Sequence, residues 1–419
     1  MAYLIVLLLI IAFALRVDFV FYILYVCIGL YLWGRWYTPR ALANLRVERI
    51  FHSHAFWGER LPITLQISNQ NRLAVPWLQL QESVALELRG NETTAHVLTL
   101  PGKETAVIHY TIYARRRGYY KLGPLQIITG DLFGLYQERH GRVDPSYFTV
   151  YPRLIPLSQL GLPSRLPFGT IASPQRLFAD PARPAGVRNY VSGDSLRQIN
   201  WKASAHTRHL LVKTYQPAIS LETAVLLNLN QDEYQRRTRL DTIEWAIEVA
   251  ASLAAHLIEQ RQAVGFITNG ADPLHGAEDG DFDEASGRLQ SKQLTAAMAP
   301  APISPRPGRG QLMRILERLA RLEAIPTAPF AEWTPQACHN LSWGTTLLVV
   351  TTSGDEAVCQ ALHRLVRVGL NPVLITVEPA ANFGEVRQRA KQLGFAAYEV
   401  LREEDLDKWR RPLGVTSSR

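Results

Sequence analysis

The chain reads as a membrane-anchored multidomain protein: an N-terminal transmembrane hairpin, a β-sandwich domain, then an α/β domain with a mostly parallel, doubly wound sheet. Three observations predict this. Residues 2–15 and 20–33 are apolar runs, residues 47–151 carry short alternating runs broken by Asn, Gly and Pro, and beyond Ser220 continuous apolar strands alternate with amphipathic helices. At 419 residues the chain is long enough for two or three domains with cores of their own.

Arg16 and Asp18 separate the two apolar runs, each shorter than the roughly 20 residues that a helical span needs. Either a tight hairpin turns there or one long helix carries a polar break. The hairpin is expected over residues 1–37, because a charged pair is least costly at the membrane interface. A cleaved signal peptide would need a basic leader and a small-residue cleavage site; aromatics and arginines follow the second run instead. Arg35, Arg40, Arg46 and Arg49 stand against Glu48 alone, and Trp33, Trp36 and Tyr37 suit an interfacial belt. The positive-inside rule then puts the bulk of the chain on the cytoplasmic side of an inner membrane, with residues 38–46 as a basic juxtamembrane linker.

A formal charge of +8 suits an anionic partner. Without a basic low-complexity tail or an aromatic-basic binding motif, a membrane is expected and nucleic acid is not. Cys27 lies in an apolar run, while Cys338 and Cys359 are isolated, so no CxxC metal pair or disulfide framework is visible, which suits a reducing compartment. The chain holds no GxxxxGK[ST] loop; ATP-driven work must come from a partner.

Runs such as LPITLQISN and ETAVIHYTIYA within residues 47–151 alternate with period two, as sandwich strands do. Arg115, Arg116 and Arg117 read either as an anionic-ligand patch or as a solvated strand end. The solvated end is expected, since consecutive strand residues face opposite ways. In the last domain, residues 221–419, strands are expected at 223–229, 264–268, 346–351, 372–377 and 397–401. Helices are expected at 239–262, 311–323, 355–368 and 385–393. Such alternation gives a buried parallel sheet covered on both faces. The Gly, Asp, Ala and Pro-rich stretch 269–307 reads as a disordered excursion or lid, with a short helix near 289–298.

A connector, residues 152–220, carries the densest set of candidate site residues: Arg188, Tyr190, Gly193, Asp194, Arg197, Trp201 and Ser204. Gly193 and Asp194 can close a turn that Asp194 caps, with Arg188 or Arg197 paired to it, while Ile199 and Trp201 bury apolar area at the domain junction. Alternatively the arginines and Trp201 stay exposed as anchors for an acidic partner. A hydrolase reading uses Asp194 as base and Ser204 as nucleophile with His206 nearby, groups that must lie within hydrogen-bond reach. With no GxSxG or HExxH motif, a non-catalytic role is expected.

These residues resemble the DUF58 signature R-x-Y-x-x-G-D-x-x-R-x-I-x-W-x-x-S-A-R, supplied here by Arg188, Tyr190, Gly193, Asp194, Arg197, Ile199, Trp201, Ser204 and Ala205, with His206 in the last place. The stretch from Arg115 to Tyr136 is similar to the family's RG…GP…DPFG segment, with Leu132 where Pro is usual. The resemblance implies a von Willebrand factor A-like fold for the last domain, with a D-x-S-x-S metal loop at the carboxyl ends of its strands. Here that loop holds Asn228, Asn230 and Asp232, and the later loop reads Thr351, Thr352, Ser353, Gly354 and Asp355. Neutral amides are poor Mg²⁺ ligands, so a metal-free recognition edge and no cofactor are expected. The resemblance also implies association with MoxR-type AAA+ ATPases and other membrane proteins. The expected function is a membrane-anchored, non-catalytic adaptor or assembly factor acting through protein-protein interaction.

Overall fold

The computed structural model describes residues 10, 18–90, 95–130, 137–157, 179–191, 199–217, 222–275, 282–283, 286–289 and 298–410. They form two compact units. The first comprises Met1–Leu154, Gly270–Pro300 and Met313–Ile325; the second comprises Ile155–Asn269, Ala301–Leu312 and Pro326–Arg419.

The first unit begins with helix α1 (Asp18–Leu42). Its stretch Phe19–Leu42, 24 residues, is long and apolar enough to cross a membrane, about 36 Å at 1.5 Å per residue. The other arm of the expected hairpin lies outside the described residues. Residues 38–46 are not a linker. The helix continues to Leu42, Thr38, Ala41 and Leu42 are buried, and strand β1 (Leu45–Ile50) starts three residues later.

Among the described residues ten strands follow in three hydrogen-bonded sheets. One is β1 with β3 (Arg60–Asn69) and β6 (Thr105–Tyr113). Another is β2 (His54–Phe56), β10 (Ser146–Tyr151) and β7 (Gly118–Leu122). The third runs β5 (Ala95–Leu100), β4 (Val75–Glu82), β8 (Leu125–Gly130) and β9 (Gln137–Val143). The expected period of two is present: Leu61, Ile63, Leu65 and Ile67 on β3 face inward and join Leu78, Leu80, Ile127 and Phe148 in one core. Arg49, read from sequence as a membrane-flanking charge, points into this core instead. It bonds Glu82 on β4 and Ser146 on β10, thereby tying all three sheets.

Arg117 overturns both sequence readings of its triplet. It is buried, and its Nη1 lies 3.0, 3.1 and 2.9 Å from the carbonyl oxygens of Leu319, Ala320 and Leu322, at the C-terminal end of helix α4 (Arg309–Arg321). A cation there satisfies carbonyls that have no partner within the helix.

The expected lid is also corrected where it is described. Ala271 and Glu323 exchange two backbone hydrogen bonds, Leu289 donates to the Tyr119 carbonyl, and Lys121 on β7 donates to that of Gly287. Arg288 bonds Glu323 at 2.6 Å, and buried Asp272 bonds Arg321 at 3.1 Å. Phe282 packs beside Tyr119 and Tyr147. Most of the helix expected near 289–298 lies outside the described residues.

In the second unit, β11 (Ala179–Asn189) pairs antiparallel with β12 (Leu211–Pro217), with helix α2 (Trp201–Thr207) between them in sequence. The main sheet has the order β15-β14-β13-β16-β17-β18. β13 (Glu222–Leu227), β14 (Ala263–Thr268), β16 (Thr346–Thr351), β17 (Asn371–Thr376) and β18 (Ala396–Glu399) run parallel. β15 (Ile303–Arg306), within the expected lid, adds an antiparallel edge to β14. Helix α3 (Arg239–Glu259) packs on β13, β14 and β16. The row Ala224, Leu226, Leu347, Val349 and Leu374 packs with α5 (Phe330–Ala337), α6 (Glu356–Val368) and α7 (Phe383–Leu393). Helix α5 was not expected from sequence. The neighbouring row, including Val225, Leu348, Val350 and Ile375, is equally buried, which is why these strands read as unbroken apolar runs.

Candidate functional site

The signature segment is a hairpin carrying a two-turn helix. Val187 pairs with Lys213, Arg188 with Val212 and Asn189 with Leu211, and Ile199 bridges to Val212. Asn200 starts α2 by accepting a side-chain hydrogen bond from Ala203 N–H, a normal N-cap. Arg208 ends it in the left-handed region at φ 58°.

Ser204 faces inward. Its hydroxyl accepts from Leu211 N–H at 2.8 Å and donates to Leu211 C=O at 3.4 Å, so it staples the helix to β12. Among the described residues no base hydrogen-bonds it. His206 is exposed, two positions on, and so does not share its helix face. The thiols are no better placed for attack: burial pushes Cys338 up to about 12 and raises Cys359 as well.

Of the remaining signature residues, Arg188 is exposed and Tyr190 half-buried, with Tyr190 N–H bonded to the Leu210 carbonyl. Gly193, Asp194 and Arg197 lie outside the described residues. Trp201 is not packed into a junction. It is 66% exposed, whereas its neighbour Ile199 is 4% exposed. Val187, Val191 and Leu210 are also exposed. Over residues 187–191 and 199–217 the charged side chains are Arg188, Lys202, Arg208 and Lys213, with no Asp or Glu. The exposed side chains of this described segment thus include apolar and cationic ones and no acidic ones.

The loops at the carboxyl end of the main sheet are held together by their own side-chain hydrogen bonds. Asn228 is fully buried. Its Nδ2 donates to Glu233 Oε2 at 2.6 Å and Thr351 Oγ1 at 3.0 Å; its Oδ1 accepts from Asn230 N–H and Asn269 Nδ2. Both amide hydrogens and both lone pairs are thus used within the protein. Asn230 bonds Glu233 and Thr327 N–H, and Glu233 also accepts from Phe330 N–H. Asp232 is exposed, and Asp355 caps α6 by accepting from Val358 N–H at 2.8 Å. Among the described residues no group of three His, Cys, Asp or Glu is placed to hold a metal ion.

Sequence reasoning missed Glu233, Asn269 and Thr327, which complete this network, and Glu378, which accepts from Gln235 N–H nearby. Asn230-x-x-Glu233 has the spacing of a capping box, a signal that could have found Glu233. Tyr234 between them is buried, and desolvation followed by the Glu378 and Glu233 charges raises its pKa. Its hydroxyl stays protonated and donates to the Asn228 carbonyl at 2.7 Å.

Comparison with known proteins bears on the signature. Residues 186–324 match the family model described as protein of unknown function DUF58, the family that the signature resembles. An uncharacterised Bacillus subtilis protein, YeaD, is 23% identical over 220 residues, 51% of this chain and 53% of its own length. The chain thus spans about half of that relative. Among solved structures, a von Willebrand factor type A protein from Catenulispora acidiphila is similar over 48% of this chain and 42% of its own, at 13% identity and a TM-score of 0.29. A CARDB domain from Pyrococcus furiosus, in complex with di-metal ions, is similar over 26% of this chain and 87% of its own, at 14% identity and a TM-score of 0.20.

Proposed function

We propose that the chain is a membrane-anchored, non-catalytic adaptor or assembly factor, held by α1 in an inner membrane with its soluble units facing the cytoplasm. It acts by presenting the signature hairpin to an acidic protein partner. The observation that carries this reading is that Ser204 is spent on the backbone of Leu211, while Trp201, Lys202 and Arg208, and Arg188 on β11, are exposed. Trp and Arg are the residue types that dominate binding energy at interfaces. A MoxR-type AAA+ ATPase is the partner that the DUF58 resemblance implies, and it would supply the phosphate loop that this chain lacks.

A photoreactive amino acid in place of Trp201, in the full chain in native membranes, tests this with and without ATP. The expected result is an adduct with such an ATPase, lost when Arg188 and Lys202 are changed to Ala. Absence of any ATPase adduct under either condition would contradict it. Protease added to intact spheroplasts tests the orientation, and the soluble units are expected to stay uncut.

A further inference from the structure

We propose that the surface of the first unit around the C-terminal end of α1 binds anionic phospholipid headgroups of the leaflet that the helix enters. The proposal rests on the reading of α1 as a membrane span. It comes from how the helix ends. Tyr37 Oη donates to the Ala74 carbonyl at 2.7 Å, and Asn71 Nδ2 donates to the carbonyls of Arg40 at 2.7 Å and Ala41 at 3.2 Å. The helix terminus is therefore fixed to loop 69–74 without a flexible joint. Asn69 binds a second loop to the first, its Nδ2 donating to the carbonyls of Leu73, Leu100 and Pro101, while Lys103 N–H donates to the Asn71 carbonyl at 2.8 Å.

Each of these loops brings an exposed cation to the helix end: Arg72 on the first and Lys103 on the second. On the helix itself Trp33 and Trp36 are 60% and 47% exposed, as residues of an interfacial belt are. The Arg40 guanidinium lies 4.6 Å over the Trp36 ring, and Arg35 and Arg40 line an open groove with both tryptophans. Across residues 35–46, 69–74 and 101–104 the exposed charges are Arg35, Arg40, Arg46, Arg72 and Lys103 against Glu104 alone. A membrane that holds the tryptophans at headgroup depth holds these cations there too. Unlike a flexible basic tail, they are pre-positioned by packing, so little ordering entropy opposes the contact.

Arg72 and Lys103 separate this site from the ordinary juxtamembrane charges, because only the fold brings them to the helix end. The full chain is reconstituted in phosphatidylcholine bilayers, and immobilisation of spin-labelled phosphatidylglycerol is compared with that of spin-labelled phosphatidylcholine. The wild type is expected to prefer phosphatidylglycerol by about fivefold, the effect of one Lys or Arg near an anionic surface. The preference should fall to about twofold or less in Arg72→Gln/Lys103→Gln and weaken with added salt. Arg72→Gln alone, whose side chain is exposed, serves if the double variant loses its circular dichroism spectrum. No preference in the wild type, or an unchanged one in the variants, would overturn the proposal while leaving the span intact. Release of the chain from membranes by alkaline carbonate would instead overturn the span, and the lipid site with it.

Discussion

Arg49 and Glu82 meet inside the first unit, Nη2 to Oε1 at 2.5 Å, with their side chains 3% and 2% exposed. Tyr110 donates to the other Glu82 oxygen at 3.0 Å, and burial followed by the Glu82 charge raises the tyrosine pKa, so the hydroxyl remains a donor. Removing one member of a buried ion pair strands the other charge without water. Glu82→Ala is therefore expected to cost about 3–5 kcal/mol, and Arg49→Met/Glu82→Leu less than that. Urea unfolding of the chain in detergent checks both, and a double variant less stable than Glu82→Ala would contradict the buried-pair account.

The Asn228 network makes an opposite prediction for a conservative change. Asn228→Asp removes the donors that reach Glu233 and Thr351 and sets two carboxylates together. It is expected to lower stability by about 2 kcal/mol, the scale of a hydrogen bond to a charged group. Calorimetric titration of the wild type with Mg²⁺ or Mn²⁺ is expected to give no saturable heat. A saturable heat abolished by Asp232→Ala would show that the exposed loop recruits an ion after all.

His256 on α3 supplies a pH dependence. Burial lowers its pKa below the ordinary 6.5, with Glu259 opposing. The unfolded chain therefore takes up the proton first. The stability contributed by the neutral ring is fully present above 6.5 and is lost as pH falls below that value toward the folded pKa. Thermal unfolding of His256→Gln between pH 7.5 and 5.5, values chosen to bracket about 6.5, should show a shallower decline than the wild type. Equal slopes would remove His256 as the source.

The parallel sheet was legible because strands such as Thr346–Thr351 are buried on both faces and contain little but apolar residues and Thr. Helix α6 was legible as an amphipathic segment at 355–368, and the structure starts it at the capping Asp355 and ends it at Gly369. What escaped depends on partners distant in sequence. Arg117 meets carbonyls 202 to 205 residues away, and Arg49 pairs 33 residues away, so neither could be told from a solvated cation. The segment with Phe282, Arg288 and Leu289 looked like a lid because its partner strand β7 lies far upstream. At the signature, composition alone could not decide whether Trp201 packs inward. Its exposure follows from Ser204 and Ile199 taking the inward positions.

The most direct test of the adaptor account compares Trp201→Ala with Ser204→Ala in the full chain, measuring thermal unfolding and capture of the proposed MoxR-type partner side by side. Trp201→Ala is expected to change stability by no more than about 0.5 kcal/mol, as exposed substitutions do, while weakening capture roughly tenfold or more, as loss of an anchoring aromatic does. Ser204→Ala is expected to cost about 1–2 kcal/mol by leaving Leu211 N–H without its acceptor, with capture by the folded protein retained. Loss of biological activity in Ser204→Ala with folding and capture preserved, alongside normal capture by Trp201→Ala, would contradict the adaptor account and favour chemistry at the Asp194 and Ser204 neighbourhood.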